Sequence, residues 1–160
     1  MQKITPCLWF DGQAEQAAAF YTSIFDKSDI LHVARYGKAG PGPEGSVMTV
    51  RFELDGQEFV AVNGGPEFKF NEAISFQVSC ETQDEVDEFW GRLSEGGEEG
   101  PCGWLKDRYG VSWQIVPTRL IELLDDPDPQ KSQRAMCAML EMGKIDIAAL
   151  EQAAVSAAPS

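Results

Sequence analysis

Six side chains of this 160-residue sequence have the types and spacing of a small-molecule pocket: Trp9, Asn63, Phe76, Cys102, Trp104 and Gln114. Trp9, Phe76, Trp104 and Gln114 fall on strand candidates expected to curve around one cavity, with Asn63 at a strand end and Cys102 close by. Aromatic walls hold a ligand by apolar contact, and a few polar anchors fix its orientation. The same aromatics can also serve as plain core. Strand alternation separates the two uses at one point, setting Trp113 under a helix and Gln114 toward the cavity.

Other chemistry is thin. His32 is the single histidine and reads as a structural or surface residue of a strand. One histidine leaves little room for a Ser–His or Cys–His couple, and no G-x-S-x-G elbow is present. Cys7, Cys80, Cys102 and Cys137 form no C-x-x-C pair, which excludes a zinc knuckle and a thioredoxin-type motif. They read as reduced, mostly buried thiols, a cavity-facing one keeping the option of reactivity. The acidic group Asp125, Asp126 and Asp128 lacks the glycine and final glutamate of a calcium loop, so turn and helix-cap duty explains it. The glycine-rich stretch from Gly37 to Gly45 contains prolines and leads into a strand, not a helix. It therefore reads as a rim or lid and not as a phosphate cradle.

The elements that must position these residues repeat. Ala17, Phe20, Tyr21 and Ile24 line one helix face, and Val86, Phe89, Trp90 and Leu93 repeat the spacing in a second helix. Each helix follows an apolar strand candidate, Lys3–Phe10 or Ala73–Cys80, and precedes more strand candidates. In the first half these are Ser28–Tyr36, Val47–Leu54 and Gln57–Asn63, with Asp55-Gly56 as hairpin turn. In the second half they are a weak piece near Glu98–Gly100, then Cys102–Lys106 and Val111–Val116 around the turn Asp107–Gly110. Thr82-x-x-Glu85 is a capping box for the second helix, which stops at Gly96-Gly97.

The pattern predicts an α+β fold in residues 1–117. Two β-α-β-β-β modules, 1–63 and 73–117, are joined by a linker, 64–72, and form a curved sheet or half-barrel. Residues 118–160 form a helical C-terminal extension. It comprises a turn at Leu120–Leu124, a helix over Gln130–Met142, a last helix capped by Asp146, and a frayed end at Ser156–Ser160. Met136, Met139, Leu140 and Gly143 make an apolar stripe on the long helix, to be packed within the chain or on a second subunit.

Composition narrows the partners. A net charge of −13 opposes phosphate backbones and anionic lipid, so neither a nucleic acid nor a membrane surface is expected. No apolar run approaches the roughly 20 residues of a membrane helix. The first residues lack a signal peptide's apolar core, so the cytoplasm is the expected location.

Five stretches carry a family resemblance: Ile4–Gly12, Asn63–Pro66, Phe70–Phe76, Cys102–Asp107 and Ser112–Pro117. With the paired modules, they resemble the PhnB-like branch of the vicinal oxygen chelate superfamily of glyoxalases, bleomycin-resistance proteins and extradiol dioxygenases. The resemblance runs from about Lys3 to Ala154. It implies a glyoxalase-like fold and a homodimer. Metal-dependent members carry His, Gln or Glu ligands on the first, fourth, fifth and eighth strands. The corresponding positions here are Thr5, Val60 or Ala61, Ala73 or Ile74, and Gln114, of which only Gln114 suits a divalent ion. A catalytic metal site needs three protein ligands, so the expectation is a metal-free cavity, with no cofactor, around a small organic ligand. Two enzyme readings stand beside it. One is methyl transfer, after the branch's label as a demethylubiquinone 3-methyltransferase domain. The other is a divalent-metal lyase or isomerase of the glyoxalase type.

Overall fold

In a computed structural model, residues 2–155 are described. The expected fraying of Ser156–Ser160 lies outside them. The chain divides into two compact units, one up to Phe70 and one from Asn71 onward.

The first unit comprises β1 (Cys7–Phe10), α1 (Ala14–Ile24), β2 (Asp29–Arg35), β3 (Val47–Leu54) and β4 (Gln57–Asn63). Its sheet runs β1-β4-β3-β2, with β1 parallel to β4 and the other pairs antiparallel. The strand pleat sends alternate side chains to opposite faces. Leu8, Phe10, Val50, Phe52, Phe59 and Ala61 are buried with Ala17, Tyr21 and Ile24 of α1. Phe52 stacks on Phe59 with ring centroids 5.4 Å apart and on Tyr21 at 6.2 Å. The first strand is shorter than its apolar run suggests. Pro6 has no N–H to give a ladder, and Ile4 is exposed.

The second unit repeats the plan with β5 (Ser75–Cys80), α2 (Gln83–Ser94), β6 (Glu98–Glu99), β7 (Trp104–Lys106) and β8 (Ser112–Pro117). Its sheet order is β5-β8-β7-β6, the same permutation, with β5 parallel to β8. Thr82 Oγ1 accepts from the Glu85 N–H at 3.2 Å, and Glu85 Oε1 reaches back to accept from the Glu81 N–H at 3.3 Å. The reciprocal cap is thus made one residue earlier than the pattern assigns. Val86, Trp90 and Leu93 bury one face of α2 against the sheet.

The extension belongs to this second unit. It forms α3 (Thr118–Leu124), α4 (Pro129–Leu140) and α5 (Ile147–Val155). Leu120, Leu123, Ala135, Ile145, Leu150 and Ala154 make its core, with Met139 and Met142 packed beside them. Met136 and Leu140 point outward, so the buried stripe of α4 is rotated from the expected one. Pro129 at the first turn and the Asp128 cap on the Gln130 N–H at 3.0 Å set where α4 begins and hence its phase. Backbone bonds tie the extension to the turn before β7. The Cys102 N–H donates to Met142 O and the Gly103 N–H to Gly143 O, both at 2.8 Å.

Burial pushes the Cys80 thiol up to about 12, with the Glu85 carboxylate adding to the effect. A thiol reagent applied near pH ~8 is therefore expected to label exposed Cys137 in the native chain and Cys80 only after unfolding. Mass-spectrometric mapping of the label checks this. Equal labelling rates would mean that Cys80 opens to solvent.

Candidate functional site

The strand register assigns each predicted pocket residue to a sheet face. In the second unit Trp104 pairs with Gln114, Lys106 with Ser112, Ser75 with Ser112 and Gln77 with Gln114. Paired residues share a face, so these six form one surface. It is the face opposite α2 and is mostly polar. Gln114 Nε2 donates to Ser75 Oγ at 2.8 Å, and Gln77 Nε2 donates to Gln114 Oε1 at 3.3 Å. Both ends of the Gln114 amide are thus held by neighbours.

Phe76 is on the other face. It pairs with Trp113, and the two rings lie 5.4 Å apart. The expectation that Phe76 lines the pocket beside Gln114 is therefore corrected. Parallel pairing fixes Phe76 to the parity of Trp113, which is buried on the helix side as the alternation requires. Cys102 sits in the turn before β7 at φ +58, its backbone docked on Met142.

Trp9 and Asn63 belong to the first unit. The Trp9 indole N–H donates to Gly65 O at 2.9 Å, and its ring meets Phe68 edge-on at 4.9 Å. A Cβ on Gly64 would overlap the Trp9 ring, so the glycine is what lets the chain cross the indole. Asn63 works as a clasp. Its Oδ1 accepts from the Ala14 N–H at 2.9 Å, its Nδ2 donates to Val47 O at 3.0 Å, and its own carbonyl accepts from Tyr36 Oη at 2.6 Å. Gln13 makes no side-chain cap, so this distant amide replaces one at the start of α1. The loop from Gly37 to Gly45 folds against the Tyr36 ring, where Gly40 and Gly42 leave no room for a Cβ. With Glu15, Tyr36, Pro41, Pro43 and Asn63 it borders an open cavity of about 530 Å³. Of its walls, Tyr36, Asn63, Val47, Ser46 and Pro43 are bonded to one another.

A second cavity, about 430 Å³ and more open to solvent than the first, lies in the second unit over β6 and β7. Glu72, Glu98, Pro101, Trp104, Lys106 and Ser112 are among its walls. Of the residues predicted from sequence, it holds Trp104, with Gln114 next to it in the register. Glu72 and Lys106 form an ion pair across its edge. That hydrogen bond holds the Glu72 carboxyl below and the Lys106 ammonium above its usual range. Ser112 is 2% exposed, and its Oγ has no hydrogen-bond partner among the described residues. Sequence reasoning missed Lys106 and Ser112. The alternation that sets Gln114 opposite Trp113 puts Ser112, two residues earlier, on the face of Gln114, and the hairpin pairs it with Lys106.

The donors around Gln114 do not suit a divalent ion. They are neutral hydroxyls and amides, and Gln114 Oε1 is already engaged by Gln77. Among the described residues, no three His, Cys, Asp or Glu side chains gather where an ion could be held. No helix among them is long and apolar enough to cross a membrane.

The doubled β-α-β-β-β plan is that of the glyoxalase-like folds. The chain belongs to the family described as 3-demethylubiquinone-9 3-methyltransferase, whose model matches residues 2–116, and this is the PhnB-like group of the vicinal oxygen chelate superfamily. A Bacillus cereus protein described as a 3-demethylubiquinone-9 3-methyltransferase, PhnB protein, is 42% identical, with a TM-score of 0.65 over 72% of this chain and 99% of its own. A Pseudomonas aeruginosa protein shares the fold at 20% identity and a TM-score of 0.60, over 73% of this chain and 98% of its own. So does the fosfomycin resistance protein FosX of Listeria monocytogenes, solved with Mn(II) and sulfate. It is 19% identical, with a TM-score of 0.50 over 72% of this chain and 92% of its own. No curated protein matches the chain. The family match ends before α3, so all three helices of the extension lie beyond it.

Proposed function

We propose that this protein holds a small organic molecule, without a metal ion, on the face of the second sheet that carries Trp104 and Gln114. The cavity of about 430 Å³ beside Trp104 and the buried, unpartnered Ser112 hydroxyl is the observation that carries this reading. Its size suits a compact ligand, and its walls combine an indole and a proline with a small number of polar groups, as binding pockets do. The absence of a metal from the proposal rests on donor chemistry: the oxygens around Gln114 are neutral and already bonded, and the pocket's carboxylates do not gather in a set of three among the described residues. Two copies of the chain, as the family resemblance implies, form the working unit of this proposal.

Thermal unfolding in the presence of a panel of small aromatic and heterocyclic compounds tests it. Some members are expected to raise Tm by linkage, as any ligand selective for the native state does. Trp104→Ala is expected to weaken binding of those same compounds about tenfold, the indole supplying most of the apolar contact. Compounds that stabilise wild type and Trp104→Ala equally would move the ligand elsewhere, and a Tm unmoved by every compound would remove the proposal.

Methyl transfer is a second reading, favoured by the family's description. Against it, the glycine-rich loop from Gly37 to Gly45 runs into β3 and opens no helix N-terminus for a donor's charged groups. Calorimetric titration with S-adenosylmethionine discriminates, since saturable binding of that donor would bring transfer forward.

A further inference from the structure

The Trp104 pocket has an electrostatic sign as well as a shape, and the sign selects a ligand class. Its walls carry the carboxylates of Glu72 and Glu98 against the single ammonium of Lys106, while Glu99, paired with Leu105, turns its carboxylate to the helix side of the sheet. Lys106 is committed to Glu72, and Glu99 accepts from the Trp90 indole N–H at 3.0 Å. No ion pair among the described residues involves Glu98. The pocket is thus net negative, and its one cation is already neutralised. An anion entering it would meet repulsion from Glu98 and would have to compete with Glu72 for Lys106.

Ser112 supplies the independent sign that something is to be bound. A hydroxyl sealed from water and left without a partner is costly, and such atoms are rare in folded chains. Ser112 sits on the pocket face between Lys106 and Ser75 in the register, within the sheet and not in a mobile loop. Its Oγ has lone pairs available to accept an N–H. Trp104 adds an aromatic face, which attracts cations through the ring quadrupole and apolar rings by contact.

We infer that the pocket takes a small organic ammonium, a flat apolar body carrying a protonated amine. The body lies against Trp104 and Pro101, the charged head lies toward Glu98, and one of its N–H groups donates to Ser112 Oγ, a contact that requires the wall over that sealed oxygen to part. This deepens the metal-free binding reading and rests on it.

Three probes of one shape test the class: benzylamine, protonated at neutral pH, benzyl alcohol and benzoate. Each is titrated at low ionic strength into the full-length protein labelled with ¹⁵N. The readouts are the Trp104 indole N–H signal and the backbone signals of Lys106 and Ser112. Benzylammonium is expected to shift these signals and to bind about tenfold tighter than benzoate, with benzyl alcohol between them. Glu98→Gln should narrow that gap about threefold, and Ser112→Ala should weaken benzylammonium by a similar factor. Ser112→Ala removes an orphaned polar atom, so it should fold at least as stably as wild type. Weakened binding in that variant then reports the lost contact and not damage to the fold.

Benzoate binding as tightly as benzylammonium, or tighter, would overturn the ammonium class while leaving the pocket as a ligand site. Three probes that all leave the Trp104 indole signal unmoved at millimolar concentration would overturn the class and the binding reading together.

Discussion

Asp107→Ala is expected to destabilise the chain by about 4 kcal/mol, a large share of the stability of a domain this size. Asp107 is 2% exposed and holds the turn between β7 and β8 from inside. Its Oδ1 accepts from the Tyr109 N–H at 2.8 Å and the Val111 N–H at 3.1 Å. Its Oδ2 accepts from the Trp113 indole N–H at 2.8 Å. Two of these donors, at Val111 and Trp113, are buried, so alanine leaves each an orphan of the carboxylate that accepts from it. Each such orphan costs roughly 1–3 kcal/mol. Asp107→Asn separates the hydrogen bonds from the packing. One amide oxygen can serve either the backbone pair or the indole, and the amide N–H₂ then faces a donor. About half the alanine cost is expected for this variant. Urea denaturation reads both as a lowered midpoint at unchanged slope. An asparagine variant as stable as wild type would show that the carboxylate cradle contributes nothing beyond shape.

The same hairpin shows how far the sequence could be read. Its turn, Asp107–Gly110, and the opposite faces taken by Trp113 and Gln114 are visible as a polar break between two strand runs and as alternation. The buried carboxylate is not visible there, because aspartate in a turn normally points to water and nothing in the chain order brings Trp113 to it. Phe76 failed for a related reason. Alternation gives the two faces of a strand but not which face its neighbour shares, and only the parallel register with β8 assigns Phe76 to the side of Trp113. The doubled helix signature and the four-residue face of each helix were legible, since amphipathic spacing is a local property. Asn63 was visible as a strand-end polar residue but not as the cap of α1, a role set by the parallel pairing of β1 with β4. Ser112 does not stand out in the sequence, because a serine at a strand start is ordinary until its oxygen is known to be sealed and unpartnered.

Strand β6 is the element least legible in sequence and the one on which the pocket most depends. Two glutamates have poor strand propensity, yet Glu98 pairs with Lys106 and Glu99 with Leu105. The close approach that permits this is made at Gly97. A Cβ there would fall inside the contact radius of the Lys106 carbonyl oxygen and lie 2.7 Å from the Asp107 carbonyl carbon. Both obstacles are backbone, so no rotamer change relieves them. Gly97→Ala is therefore expected to cost about 3 kcal/mol by forcing β6 off β7. Gly96 supplies the contrast. Its φ of +78 strains any side chain, but a Cβ there meets nothing nearer than the Arg108 Cβ at 3.4 Å. About 1 kcal/mol is expected for Gly96→Ala, through the backbone alone. Because Glu98, Glu99 and Gly100 form one wall of the pocket, the Gly97 variant should also lose affinity for any ligand that wild type binds beside Trp104. Hydrogen exchange locates the effect. The Gly100 N–H, bonded to Trp104 O at 2.8 Å, should lose protection in Gly97→Ala, while β8 amides change only with global stability. Equal protection of Gly100 in the two alanine variants would mean that β6 adapts to a side chain at residue 97, and that the wall of the pocket is softer than its backbone contacts require.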